Sequence, residues 1–195
     1  INKKLDEFGL TISGPLGFNN TYALAVRREF AQSNGLKTIS DLVKLTRSTR
    51  VRAGFSHEFV KRPDGLSGLQ RHYGLQPSEV RALEHSLAYE AIANGAVDLI
   101  DVYSTDAKIS KLDLRVLDDD QNFFPKYLAV ILARKDFAKK YPRSWKAIKA
   151  LEGQIGEPEM IRLNGLVDLE RRSFAQVAQE FLKTKPRVSG RSDSL

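Results

Sequence analysis

Three segments of this sequence carry a tyrosine next to a predicted strand, and in the first two the tyrosine lies near small polar residues. They hold Asn20 and Tyr22, then Tyr103 and Thr105, then Tyr127. A permanently charged alkylammonium group has no N–H to donate, and aromatic faces attract it by about 0.5–2 kcal/mol per ring. The amide of Asn20 and the hydroxyl of Thr105 would suit a carboxylate or hydroxyl at the other end of such a ligand. Taken singly, however, a tyrosine is more often a residue at the edge of a core.

Each of these segments borders a predicted β-strand. Short apolar runs alternate with helical patterns, which predicts an α/β fold with a mainly parallel sheet flanked by helices. In open α/β sheets, ligands bind where strands end, so the three segments can converge on one crevice. The predicted strands are residues 22–26, 51–55, 80–83, 97–103, 114–117 and 127–132.

Capping and turn signals locate the helices between these strands. Residues 38–41 (Thr-Ile-Ser-Asp) resemble a capping box, and helical spacing resumes after the turn at residues 63–65. A helix over 86–94 is predicted to place Leu87, Ala91 and Ile92 on one face and to end at Gly95.

The apolar period changes to 3.6 residues from Asp136 onward, which predicts a helical segment. A second capping box, at residues 173–176, begins its last helix. The apolar stripe of that helix consists of Phe174, Val177, Ala178, Phe181 and Leu182.

Several kinds of catalytic and metal-binding chemistry are excluded, so no enzyme activity, cofactor or metal is expected. The chain has no cysteine, and its three histidines, His57, His72 and His85, have no metal-ligand spacing and are interpreted as surface residues. Residues 54–58 begin like a G-x-S-x-G nucleophile elbow, but Glu58 replaces the second glycine. The acidic run 118–120 is interpreted as a solvated loop.

Charge and hydrophobicity set further limits on the function. The 195 residues carry a net charge of +7, and four of the basic residues lie in the C-terminal segment 183–195. Nucleic-acid binders concentrate basic residues on one face with interleaved aromatic residues, and no such pattern occurs here. The longest apolar run, residues 127–133, is far shorter than the roughly 20 residues that a membrane span requires.

Four segments, in the same order and at similar spacing, resemble the substrate-binding proteins of glycine betaine/choline-type ABC importers. The resemblance extends from about Leu10 to Leu182. The segments are 17–26 (GFNNTYALAV), 62–69 (RPDGLSGL), 94–106 (NGAVDLIDVYSTD) and 117–125 (LDDDQNFFP).

The resemblance implies a two-lobed fold, that of the type II periplasmic binding proteins, which closes on a quaternary ammonium osmoprotectant. It implies an ABC permease and an ATPase as partners, and a periplasmic or otherwise extracytoplasmic location. Transferred by motif, the ligand-binding residues are Asn20, Tyr22, Tyr103, Thr105 and Tyr127. Phe59, which lies between the matched segments, is a marginal further candidate.

The family also has a long segment upstream of the Asn-Asn-Thr-Tyr sequence at residues 19–22. That segment builds most of the first lobe, and only about 18 residues precede Asn19 here. The expected organisation is a remnant of the first lobe over 1–16, the second lobe over 17–134, a helical segment over 135–183 and a flexible tail over 184–195. We interpret the chain as a processed or excised segment, so self-association or a chain that supplies the missing lobe is expected. The alternative function is a single lobe without a competent ligand site, acting as an interaction module or inert fragment.

Overall fold

A computed structural model of the chain describes residues 2–185. These residues divide into two compact units, which we call the central unit (21–126) and the terminal unit (2–20 with 127–185). The chain leaves the terminal unit after Asn20 and re-enters it at Tyr127. Most of the tail predicted over 184–195 lies outside the described residues.

Helices and strands alternate along the central unit, and helices predominate after residue 134. In chain order the elements are α1 (Asn2–Glu7), β1 (Leu10–Ile12), β2 (Tyr22–Arg27), α2 (Arg28–Ser33), α3 (Ile39–Thr46), β3 (Arg52–Ser56), α4 (His57–Lys61), α5 (Leu66–Tyr73), β4 (Glu79–Leu83), α6 (His85–Ala93), β5 (Leu99–Tyr103), α7 (Ala107–Lys111), β6 (Leu114–Val116), β7 (Leu132–Arg134), α8 (Lys135–Lys140), α9 (Pro142–Lys149), α10 (Glu157–Asp168) and α11 (Phe174–Lys183).

The central unit contains a five-stranded sheet in the order β4-β3-β5-β2-β6. Strand β3 pairs in parallel with β4 and β5, whereas β2 pairs antiparallel with β5 and β6. Four strands therefore share one direction and β2 alone opposes them, which confirms the predicted α/β fold. The reversal also brings the first residue of β2 to the edge where β3, β4 and β5 end.

Both faces of the central strands β2, β3 and β5 are buried. The side chains of a strand alternate between its two faces, and each face packs against an apolar cluster. In β2, Leu24 and Val26 belong to one apolar cluster, whereas Ala23 and Ala25 belong to a second cluster on the other face. Phe55 of β3 lies in the first cluster. This two-sided burial explains why the strand sequences are short continuous apolar runs.

The structure confirms two helix boundaries of the central unit. Thr38 and Asp41 form the predicted capping box, in which each side chain accepts the other residue's backbone N–H at 3.1 Å. Helix α6 is followed by Gly95 in the left-handed conformation, with φ of +69°. The predicted inner face of α6 is wrong at Leu87, which is 49% exposed. The buried residues of this helix are Ala88, Tyr89 and Ile92.

The strand predicted over 127–132 is also wrong, because regular pairing begins only at Leu132, where β7 pairs antiparallel with β1. Residues 127–131 make isolated backbone hydrogen bonds to the 13–20 segment instead. That segment contains Pro15, which has no N–H, and Gly17 at φ of +124°. Both features interrupt a regular ladder, although the two segments lie side by side.

The predicted helical segment from Asp136 onward is confirmed as α8–α11, and Ser173 forms the predicted capping box with Gln176. On α11, Val177 and Phe181 are buried, while Phe174 and Leu182 remain 79% and 53% exposed. These side chains border an apolar groove of about 370 Å³ between α10 and α11. None of the helices within 2–185 has the length and hydrophobicity needed to cross a bilayer.

One buried carboxylate joins three strands of the central unit. Asp98, just before β5, accepts hydrogen bonds from Arg52 of β3 at 2.8 and 3.0 Å and from Arg27 of β2 at 3.1 Å. Burial by itself would raise the pKa of Asp98, but the hydrogen bonds from Arg52 and Arg27 outweigh it and lower this pKa to about 2.

We expect Asp98→Asn to lower the free energy of unfolding by about 2 kcal/mol at pH 7. Because the folded-state pKa is below the unfolded value, this stabilisation is present above about pH 4 and disappears as the pH falls toward 2. Urea unfolding at pH 7 and pH 3 measures it. Asp113→Asn is the control, because the Asp113 side chain is 73% exposed and its ion pair with Arg28 contributes at most about 1 kcal/mol. An equal loss in both variants would contradict the prediction.

Candidate ligand-binding site

Two tyrosines meet at the edge of the sheet where β2 begins and β5 ends. The antiparallel register pairs Tyr22 directly with Tyr103. Their ring centroids are 4.9 Å apart and their hydroxyl oxygens 3.2 Å apart. Both residues are partly exposed. The sheet topology thus joins two residues that lie 81 positions apart in sequence.

Phenylalanines support this pair from the inside. The Phe59 ring of α4 lies 5.3 Å from the Tyr22 ring and 6.3 Å from the Phe124 ring. We call Tyr22, Phe59, Tyr103 and Phe124 the ring cluster. Phe59 is fully buried, so it supports the other rings and presents no surface of its own.

Charged groups surround the outer part of the ring cluster. The Tyr103 hydroxyl donates to Oε2 of Glu58 at 3.5 Å. The Arg62 guanidinium lies 5.9 Å from the centre of the Tyr22 ring and also forms two hydrogen bonds with Asp64. Burial, the hydrogen bond with Tyr103 and the charge of Glu58 all raise the pKa of Tyr22 above its usual value. Tyr22 is therefore a neutral phenol at physiological pH.

Asp119 positions the loop that carries Phe124, a role that sequence reasoning missed. Its carboxylate accepts the backbone N–H groups of Phe123 and Phe124 at 3.0 and 2.8 Å. The Tyr73 hydroxyl donates to the same carboxylate at 2.6 Å. The interpretation of residues 118–120 as a solvated loop is therefore wrong for Asp119, which organises the turn before Phe124.

His85 corrects the interpretation of the histidines as surface residues. Its side chain is only 29% exposed, and its Nε2 lies 3.0 Å from Oδ2 of Asp106. The imidazole ring lies 5.0 Å from the Tyr103 ring. The sequence around His85 does not predict these contacts, because the partners Tyr103 and Asp106 come from β5 and the turn that follows it.

The other predicted ligand-binding residues lie in different surroundings. Thr105 is in the central unit two residues beyond Tyr103, and it is only 4% exposed. Asn20 and Tyr127 belong to the terminal unit, where the Asn20 N–H donates to the Tyr127 carbonyl at 3.1 Å. Tyr127 is 47% exposed. Among the five residues, the structure brings together Tyr22 with Tyr103, and separately Asn20 with Tyr127.

Comparisons with known proteins agree with the resemblance seen in the sequence. The chain is 38% identical over 177 residues to an ergothioneine transport permease/ergothioneine binding protein, EgtU, of Helicobacter pylori, covering 91% of this chain and 32% of that protein. It is 36% identical over 191 residues to a glycine-betaine-binding protein of Pseudomonas aeruginosa, covering 93% of this chain and 61% of that one. The chain thus spans from about a third to less than two thirds of these relatives.

A solved structure gives the same result for the fold. A glycine betaine/carnitine/choline ABC transporter protein superposes with a TM-score of 0.84 at 37% identity, covering 91% of this chain and 64% of the other. The fold is therefore that of the type II periplasmic binding proteins. The family of substrate binding domains of ABC-type glycine betaine transport systems matches residues 1–184. The chain belongs to this family.

Proposed function

We propose that this protein is the solute-binding component of an ABC importer and captures a quaternary ammonium solute of the glycine betaine/choline class in a tyrosine cage. The observation that carries the proposal is the contact between Tyr22 and Tyr103 at the edge of the sheet. Family membership supports the role in transport. Ergothioneine and glycine betaine, after which these two relatives are named, both contain a trimethylammonium group.

The physical basis is the electrostatics of neutral aromatic rings. A trimethylammonium group cannot donate a hydrogen bond, so ring quadrupoles are its main source of attraction, at about 0.5–2 kcal/mol per ring. Fully buried Phe59 beside Tyr22, with partly buried Phe124 against it, lowers the local dielectric and strengthens this attraction. The Glu58 carboxylate beside Tyr103 adds negative potential on the same side.

The remaining predicted contacts extend this proposal. Tyr127 would add a third aromatic ring, and Asn20 would bind the polar end of the solute. Thr105, which is nearly buried two residues after Tyr103, would bind the solute through its hydroxyl. These roles rest on the motifs that the chain shares with its family.

We expect Tyr103→Ala to weaken binding of choline or glycine betaine about five- to thirtyfold, because one cage ring is lost. Isothermal titration calorimetry measures this change, on the chain alone and on the complete product of its gene. Tyr141→Ala is the matched control, since Tyr141 is 56% exposed in the terminal unit and outside the cage. Equal affinity of the Tyr103→Ala and unchanged proteins would refute the cage.

The proposed partners are the permease and ATPase of the importer, with the binding protein in the periplasm or otherwise outside the cytoplasm. We propose neither an enzymatic activity nor nucleic-acid binding. Because the chain spans less than two thirds of its relatives, a second polypeptide or a second copy remains a proposed partner. Light scattering would detect such association, and neighbouring permease and ATPase genes would support transport.

The alternative is an interaction module with no competent ligand site. It predicts no heat of binding with choline, glycine betaine, carnitine or ergothioneine, for the chain or for the complete gene product. Saturable binding of any of these ligands, sensitive to Tyr103→Ala, would rule it out.

A further inference from the structure

One side of the Tyr103 ring is occupied by an imidazole. His85 is the first residue of α6, and its ring centroid lies 5.0 Å from that of Tyr103 at an interplanar angle of 44°. Tyr22 is the other close ring neighbour of Tyr103, at 4.9 Å. The orientation of Tyr103 is therefore limited by Tyr22 and His85 together.

Asp106 fixes both the imidazole and the tyrosine. Its Oδ2 accepts the backbone N–H of Tyr103 at 3.0 Å and the hydroxyl of Tyr89 at 2.7 Å, and lies 3.0 Å from Nε2 of His85. One carboxylate oxygen thus ties the end of β5 to two residues of α6. Because the imidazole lies against the Tyr103 ring, a change in its charge alters the electrostatic potential at that ring.

We propose that His85 is a positioning residue for Tyr103 and that protonation of its imidazole weakens capture of a cationic head group at the ring cluster. This inference rests on the proposed function. The imidazolium would itself make a cation–π interaction with the Tyr103 ring and so compete with the ligand for it. Its charge would also repel a trimethylammonium group held nearby. We expect an effect of about three- to tenfold on affinity.

The groups that face His85 set the pH at which this happens. The hydrogen bond with Asp106 raises the pKa of His85, burial lowers it, and the charges of Asp101 and Glu84 raise it again, so the net direction is upward. Across Tyr89 lies the Lys108 ammonium, 5.2 Å from the centre of that ring. Because the pKa of His85 is raised above its ordinary value, the imidazolium persists to a higher pH than that of a free histidine.

The test is a set of calorimetric titrations between pH 5.5 and 9, with choline or glycine betaine, whichever binds more tightly at pH 8. Both ligands keep a constant charge over this range. The unchanged protein is expected to bind three- to tenfold more weakly at pH 5.5 than at pH 8. His85→Gln, which keeps a side-chain donor for Asp106 but does not titrate, is expected to remove this dependence. His57→Gln, an exposed histidine of α4, is the control and should retain it.

A second measurement uses only the unchanged protein and does not depend on the His85→Gln variant. In NMR titrations of the unchanged protein, saturating ligand should lower the pKa of His85, because ligand and proton disfavour each other reciprocally. Binding with no pH dependence, or an unshifted His85 titration, would overturn this inference and leave the proposed function intact. Absence of binding at every pH would overturn both.

Discussion

Replacing Phe59 with alanine is expected to lower the free energy of unfolding by about 3–5 kcal/mol. The side chain is fully buried and lies 5.3 Å, ring to ring, from both Phe55 and Tyr22. Its removal leaves a cavity in the first apolar cluster that the flanking strand and helix cannot fill without moving. The same cavity lies behind Tyr22 and Phe124, so the ring cluster loses its support.

Urea unfolding measures the change, with Phe8→Ala as the matched control. Phe8 is 76% exposed, so its truncation should alter the free energy of unfolding by less than about 0.5 kcal/mol. Phe59→Leu, which keeps most of the volume, should recover much of the stability. Calorimetry under conditions where Phe59→Ala stays folded is expected to show weaker cation binding as well. A loss of stability below 1 kcal/mol would mean that the site collapses easily and that Phe59 is not a support.

The parts of the fold that sequence predicts correctly are those with strong local signals. Strand β2 is a short apolar run, and α3 and α11 begin at capping boxes that need only four residues to recognise. The strand predicted over 127–132 fails because regular pairing depends on the opposite segment, which contains Pro15 and Gly17. Apolar residues alone do not reveal that the partner strand cannot form a continuous ladder.

In the candidate site, too, the residues marked by local sequence patterns could be predicted, whereas those that act through contacts distant in sequence could not. Tyr22 and Tyr103 are identified because Tyr22 begins and Tyr103 ends a recognisable strand within a family motif. The residues that hold the site in place are His85, Asp106 and Asp119. Their side-chain contacts span 17 to 46 positions of sequence, and Asp119 also accepts backbone N–H groups. A histidine beside a glutamate, or three adjacent aspartates, has no local pattern from which such contacts follow.

Asp101→Ala is expected to lower the free energy of unfolding by about 3 kcal/mol. Asp101 has no exposed surface within β5, and its carboxylate accepts the Ser56 backbone N–H at 2.5 Å and the Ser56 hydroxyl at 2.7 Å. The Ser56 oxygen in turn accepts the N–H of Phe59 at 3.1 Å and caps α4. Alanine would leave two buried donors of Ser56 unpaired and loosen the helix that carries Phe59.

The Asp101→Asn variant distinguishes the contribution of the Ser56 hydrogen bonds to stability from the contribution of the carboxylate charge. Burial raises the pKa of Asp101 above its usual value, and the hydrogen bonds from Ser56 only partly oppose it. The folded protein therefore binds this proton more readily than the unfolded chain, so the carboxylate costs stability above the raised pKa and the cost disappears as the pH falls. Asp101→Asn keeps an acceptor for Ser56 and should stay within about 1 kcal/mol of the unchanged protein at pH 7.

Urea unfolding at several pH values compares these variants directly with Asp98→Asn. The two aspartates should give opposite slopes: stability from Asp98 disappears in acid, because its pKa is lowered, whereas the cost of charged Asp101 disappears there. Burial acts in the same direction on both carboxyls, and the arginines around Asp98 reverse its effect there. If Asp101→Ala were as stable as Asp101→Asn at pH 7, the hydrogen bonds to Ser56 would not be what holds the start of α4 beneath the ring cluster.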